Sequence, residues 1–140
     1  MEYRVEIPLP VEAGRAWEVL SALPSWPAWT PTVESIETES DRPFPGAVVL
    51  IKQPGRSRVR YLVDLVEPGR RFRWVSDRGG VRQAADHVVA PAGAGSCTVA
   101  LSFAMTGPVG AVLGVLGAGK IRDLVNAEAA ALRAVLTPAD

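Results

Sequence analysis

The sequence predicts an α+β fold. A curved antiparallel sheet of about seven strands wraps around a long C-terminal helix, with two short helices after the first strand. Three observations predict it. From Val33 to Met105 nearly every segment alternates apolar with polar residues, and glycine- or proline-bearing turns separate the segments. From Val109 to Leu136 that alternation gives way to apolar residues at helical spacing. Between the first strand and the rest lies a stiff corner, Leu23 to Pro31, where Trp26 and Trp29 stand among Pro24, Pro27 and Pro31.

Each element has its own signature. Tyr3, Val5, Ile7 and Leu9 alternate with Glu2, Arg4 and Glu6, which reads as a half-buried strand stopped by Pro8 and Pro10. Val11 to Ser21 places Ala13, Ala16, Trp17 and Leu20 on one helical stripe, with Glu12 in the first turn, where the helix dipole favours an acid. The Trp-Pro corner follows, with one helical turn of its own. Strands are then expected at Val33–Thr38, Ala47–Gln53, Arg58–Val66, Arg71–Ser76, Val81–Ala90 and Ser96–Met105. The turns between them are Pro45-Gly46, Pro54-Gly55, Pro68-Gly69, Gly79-Gly80 and Ala92 to Gly95. Consecutive strands joined this way form an antiparallel meander. The alternation also sorts the faces. Tyr61, Val63, Phe72, Trp74, Leu101 and Phe103 share an apolar face, while Arg60, Asp64, Arg71 and Arg73 share the charged one.

The last segment, Val109 to Leu136, reads as one helix or two stacked pieces and spans roughly 40 Å if continuous. Pro108 suits its first turn and Pro138 lies past its end. Gly110, Gly114, Gly117 and Gly119 crowd its first half, each costing roughly 0.5–1 kcal/mol relative to alanine. Either they let the helix approach the sheet or a second subunit closely, or they leave this half soft enough to gate a pocket; gating is the working expectation.

Composition narrows the function. The chain has 140 residues and reads as a single domain over residues 1–140, with no repeat and no linker. Lys+Arg and Asp+Glu are both 15, so no net charge draws it to nucleic acid or an anionic surface. The charge is segregated. Residues 1–41 hold eight acids against Arg4 and Arg15, and residues 52–82 hold nine bases against three acids. These parts are expected to pair across the outside of the sheet. With Cys97 as the only cysteine, no internal disulfide forms. The N-terminus has no apolar signal core, and the run from Thr106 to Gly119 is too short to span a bilayer. A cytoplasmic setting is the resulting expectation. Arginine outnumbers lysine 13 to 2, which reads as the imprint of a GC-rich bacterial genome.

Several stretches together resemble a known group. They are Ile7 to Glu12, Ala16 to Leu20, Trp26 to Glu34, Glu67 to Trp74, and the Gly107-Pro108 entry to the last helix. The chain resembles the SRPBCC (START-like, helix-grip) superfamily, in its polyketide cyclase/dehydrase-like branch, over essentially its whole length. The resemblance implies a helix-grip fold with a deep cavity between sheet and C-terminal helix. It also implies an apolar small-molecule ligand such as a lipid or a polyketide, and in some members cyclase or dehydratase chemistry. The quoted motifs are packing and turn positions, so they mark the fold rather than the activity.

The residues nominate a site. The inner face offers Tyr61, Trp74 and Phe103, the corner offers Trp29, and the last helix offers Leu113 and Leu116 as ligand-binding positions. Trp17 and Trp26 are assigned to the core. His87, the sole histidine, shares strand parity with Gln83 and Ala85; facing inward, it is the side chain able to titrate near neutral pH. Beside Tyr61 it forms a candidate acid–base pair, set against a surface or merely hydrogen-bonded histidine. Gln53 is placed at the pocket rim and Cys97 is read as structural. No metal site is expected from one histidine and one cysteine, and no cofactor. Gly114 to Lys120 has phosphate-loop spacing, but Ile121 stands where the magnesium-binding hydroxyl belongs.

Three functions compete. The first is binding of a small hydrophobic ligand by a monomer or homodimer, with no nucleic-acid partner and no membrane span. The second is a cyclase/dehydratase-type enzyme using His87 and Tyr61. The third is an interaction module whose basic strands dock a protein. The shortage of inward ionisable groups favours binding.

Overall fold

The structure is a computed structural model that describes residues 1–138. Seven strands form one antiparallel sheet: β1 (Glu2–Leu9), β2 (Ser35–Thr38), β3 (Val48–Lys52), β4 (Val59–Glu67), β5 (Arg71–Arg78), β6 (Val81–Pro91) and β7 (Cys97–Thr106), in spatial order β1-β7-β6-β5-β4-β3-β2. Consecutive strands from β2 to β7 pair with one another, and β1 closes the order on β7, as Tyr3↔Phe103 and Ile7↔Val99 show. Helix α1 (Ala13–Ser21), a 3-10 turn at Leu23–Ser25 and helix α2 (Trp26–Trp29) lie between β1 and β2. Helices α3 (Gly110–Leu116) and α4 (Ala118–Leu136) end the fold, and α4 packs on β1 and β7. This is a helix-grip α+β architecture. No helix of the described residues is long and apolar enough to cross a membrane.

Some local expectations are revised. Pro8 does not stop the first strand; it pairs with Thr98 inside β1. An edge strand tolerates proline because one side of it needs no ladder hydrogen bond. Glu12 precedes α1 without capping it, and its carboxylate accepts the Gly95 N–H at 2.9 Å instead. The register slips between Val63 and Leu65 in the β4–β5 pair, a bulge that adds local bend.

The final helical segment is two helices, broken at Gly117, so only α4 fills the role of the long C-terminal helix. Two glycines are accounted for by close approach. A Cβ on Gly114 would meet Met1 Cβ at 2.8 Å and the Met105 carbonyl at 3.3 Å, and one on Gly110 would meet Val81 Cα at 3.4 Å. Close packing of α3 on the sheet therefore explains Gly110 and Gly114 without gating. Gly107, at φ 91°, makes the turn into α3, where a Cβ would fall 2.5 Å from the Gly80 carbonyl.

The core lies between the inner sheet face, α1, α2 and α4. Leu9, Leu20, Trp26, Val63, Phe72, Val99, Leu101 and Leu132 are fully buried in it. The segregated charges pair only partly as expected. Lys52–Glu34 at 3.3 Å and Arg58–Glu37 at 3.7 Å join the basic and acidic segments. The closer pairs, Arg71–Asp86 and Arg73–Asp64, join neighbouring strands.

Candidate functional site

The inner face of the sheet and α4 enclose a cavity of about 60 Å³. Strand alternation delivers Tyr61 from β4, Trp74 from β5, Ala85 and His87 from β6, and Leu101 and Phe103 from β7 to its wall. The corner adds Trp26. Helix α4 adds Ile121, Val125 and Glu128, and the β3–β4 turn adds Gln53 and Arg56. The volume is small. Pockets for drug-sized molecules run to about 300–1,000 Å³, whereas this hollow has room for a few waters. The deep cavity implied by the resemblance is thus largely filled by the protein's own rings. Trp26, Tyr61 and Phe72 each make a tilted pair with Trp74, centroids 5.4–6.1 Å apart.

Of the sequence-nominated ligand positions, Tyr61, Trp74, His87 and Phe103 line the wall. Leu113 and Leu116 do not. They belong to α3, which lies on the sheet through Gly110 and Gly114 and turns these leucines to solvent, 46% and 79% exposed. The expectation that they face the pocket is corrected: residues 109–136, read as one helix or two stacked pieces, are two helices, and α3 meets the sheet through its glycines rather than its leucines. Trp29 also misses the wall. Its ring lies tilted against Trp26, centroids 5.3 Å apart, and its buried indole N–H has no hydrogen-bond partner among the described residues. Trp26, assigned to the core, is both core and wall, with its indole N–H donating to the Leu20 carbonyl at 2.9 Å.

His87 is buried and clamped. Its ring stacks on Phe72 at 4.3 Å and meets Trp74 and Trp26 at 4.7 and 5.5 Å. Nδ1 donates to the Phe72 carbonyl at 3.1 Å, which leaves Nε2 unprotonated in the neutral ring. Burial lowers its pKa to about 4, outweighing the Phe72 hydrogen bond and the nearby Asp86 charge. The expectation that an inward His87 titrates near neutral pH is therefore overturned by its desolvation. Asp86 points outward to Arg71, so the two do not act as a dyad.

Glu128 takes the place in the titration range that His87 vacates. It is half-buried on the α4 stripe that faces the cavity. Burial raises its pKa to about 7, while the Thr32 side chain, able to donate to the carboxylate, acts the other way. Sequence reasoning missed it, although a signal existed. Glu128 sits three residues after Val125 and four before Leu132, a charge on an otherwise apolar helical stripe.

A polar group borders the cavity. Arg56 donates to Gln53 Oε1 at 2.8 Å and to Gln83 Oε1, and the Tyr61 hydroxyl donates to the same Gln83 oxygen at 3.2 Å. The guanidinium also lies 5.8 Å from the Phe103 ring centre. Burial raises the Tyr61 pKa, opposed by the Arg56 charge and hydrogen bond, and the Glu128 charge pushes it further up. Tyr61 is thus a protonated donor at neutral pH. Among the described residues no cluster of three metal-ligating side chains occurs. Cys97 is buried and burial raises its thiol pKa, consistent with an inert core residue.

Comparison with known proteins agrees with this architecture. The sequence profile described as polyketide cyclase / dehydrase and lipid transport matches residues 1–137. No curated protein matches the chain. Among solved structures, truncated norcoclaurine synthase from Thalictrum flavum superposes with a TM-score of 0.76 at 18% identity, covering 100% of this chain and 95% of that one. A START superfamily protein from Mycobacterium smegmatis gives 0.72 at 16% identity, covering 96% of each chain. The di-domain ARO/CYC protein BexL gives 0.72 at 17% identity, covering 99% of this chain and 48% of that one. At these identities the likeness concerns the fold.

Proposed function

We propose that this chain, which belongs to the polyketide cyclase / dehydrase and lipid transport family, binds a small apolar molecule in the hollow between the sheet and α4. One observation carries the reading: an aromatic wall of Trp26, Tyr61, Trp74 and Phe103 surrounds unfilled space, and the few polar side chains on that wall include Gln53 and Arg56, the latter bonded to Gln53 and Gln83. Aromatic walls with a few placed polar groups suit an apolar ligand with one hydrogen-bonding end. The resting hollow is too small for such a ligand, so binding displaces Arg56 from its glutamine partners. The Tyr61 hydroxyl, which donates to Gln83 Oε1 at rest, then exchanges that partner for the ligand's polar end. Native mass spectrometry of the protein purified from its source tests this. A co-purifying apolar mass that the Phe103→Asp variant no longer carries supports the reading. A chain free of any such mass, which also binds none from a lipid extract, contradicts it.

A second reading, cyclase- or dehydratase-type catalysis, draws on Glu128. A carboxyl with a pKa of about 7 beside a protonated Tyr61 matches the needs of general acid–base chemistry near neutral pH. Under this reading Glu128, not His87, moves the proton. Glu128→Gln then abolishes turnover while leaving ligand affinity within a few-fold; if affinity and turnover fall together, Glu128 serves binding alone.

A further inference from the structure

The structure shows an unusual distribution of apolar surface. Of the large hydrophobic residues exposed to solvent, most lie on α3 or just before it: Val109, Val112, Leu113, Val115 and Leu116. Val115 and Leu116 are 72% and 79% exposed. The helix is built inside out for a soluble surface. Its glycines face the sheet and its branched side chains face water, at a contiguous patch that an isolated soluble chain has reason to avoid.

Beside α3 runs an open groove of about 780 Å³. Leu113, Leu62 and Val75 give it apolar walls, and Arg58, Arg60 and Arg78 line it with Asp77 as the only acid. Arg60 and Arg78 reach no carboxylate among the described residues. Arg58 meets Glu37 only at 3.7 Å, between exposed side chains. Asp77 is itself engaged by Arg82 at 3.6 Å. The surface thus joins an apolar helix to a cationic rim, although the chain as a whole carries no net charge.

We propose that α3 and this arginine-lined groove dock the protein on an anionic lipid bilayer. Helix α3 enters the headgroup–acyl boundary with Val112, Val115 and Leu116, and the arginines meet the lipid phosphates. Charge selects this occupant over a second copy of the chain, because a twofold contact at the same patch would bring two arginine rims together. Arg56 lines both the groove and the internal cavity, so a docked protein presents the mouth of its hollow to the membrane. The docking surface stands whether or not the hollow is filled.

Co-sedimentation of the full chain with vesicles tests the proposal, comparing phosphatidylglycerol–phosphatidylcholine mixtures with phosphatidylcholine alone. Binding to the anionic vesicles is expected to weaken as salt rises. The double variant Val115→Asp, Leu116→Asp reduces it at least tenfold. Arg60→Gln and Arg78→Gln reduce it about fivefold each. Both sets of side chains are exposed, and unchanged circular dichroism and melting confirm that the variants stay folded. Failure to bind anionic vesicles overturns the proposal, as does equal binding to both vesicle types or indifference to both sets of substitutions. A concentration-dependent dimer that Leu116→Asp dissolves, without vesicle binding, assigns the surface to a second copy instead.

Discussion

The opposed pKa shifts of Glu128 and His87 give the fold an unusual stability profile. Glu128 moves from 4.5 in the unfolded chain to about 7 in the folded one. At 1.36 kcal/mol per pH unit this is at most about 3 kcal/mol, since the side chain is only half-buried. A raised folded pKa contributes stability that is fully present below pH 4.5 and gone above about pH 7. His87 moves from 6.5 to about 4, also about 3 kcal/mol. A lowered histidine pKa works in the other sense: its contribution is present above pH 6.5 and is lost as pH falls toward 4. Between pH 4.5 and 6.5 the folded state holds one proton more than the unfolded state at Glu128 and one fewer at His87. The two slopes cancel there. Urea unfolding of the wild type between pH 4.8 and 6.3 is therefore nearly flat in the part owed to this pair. Glu128→Gln unmasks the histidine, so that stability falls by about 1.4 kcal/mol for each unit of acidification, roughly 2 kcal/mol over the range. The same variant is more stable than wild type at pH 8, by up to about 3 kcal/mol. Parallel profiles for the two proteins, or a variant less stable than wild type at pH 8, would refute the reasoning.

Other expectations follow from single contacts. Gly114→Ala forces Met1 or the Met105 carbonyl aside and lowers stability by about 1–3 kcal/mol, whereas Gly119→Ala, with open space around it, raises stability by about 0.5 kcal/mol; thermal melts distinguish the two. Trp29→Phe removes the unpartnered buried indole N–H and leaves urea stability unchanged or higher, while Trp26→Phe loses the bond to Leu20 and costs about 1–3 kcal/mol. Phe72→Ala, which opens space against Trp17, Trp74 and His87, costs about 3–5 kcal/mol by chemical denaturation.

The sheet was legible because its signals are local. Pro45-Gly46, Pro68-Gly69 and Gly79-Gly80 punctuate the strands, each turn glycine takes a positive φ, and alternation alone turned Tyr61, Trp74 and Phe103 inward. The long-range features were harder to read. His87 could be aimed from its strand parity, but its pKa depends on Trp26, Phe72 and Trp74, contributed by two other elements. Arg56 reads as an ordinary turn residue, and its partner Gln83 lies 27 positions further along the chain. Leu113 and Leu116 were misplaced because helical spacing marks an apolar stripe without saying that α3 meets the sheet through Gly110 and Gly114 instead. Glu128 was visible as a lone charge on the apolar α4 stripe. Its meaning required knowing that the stripe faces unfilled space.

The indole region of an amide nitrogen–proton NMR spectrum tests the central claim most directly. Spectra of the protein as purified are compared with spectra of the same protein stripped by unfolding in urea and refolded. The account predicts that the Trp26 and Trp74 indole signals move on stripping, return when the extracted apolar fraction is added back, and move more than that of Trp17. Four superimposable indole signals, unmoved by stripping or by the extract, would mean that no guest occupies the aromatic chamber and would contradict the account.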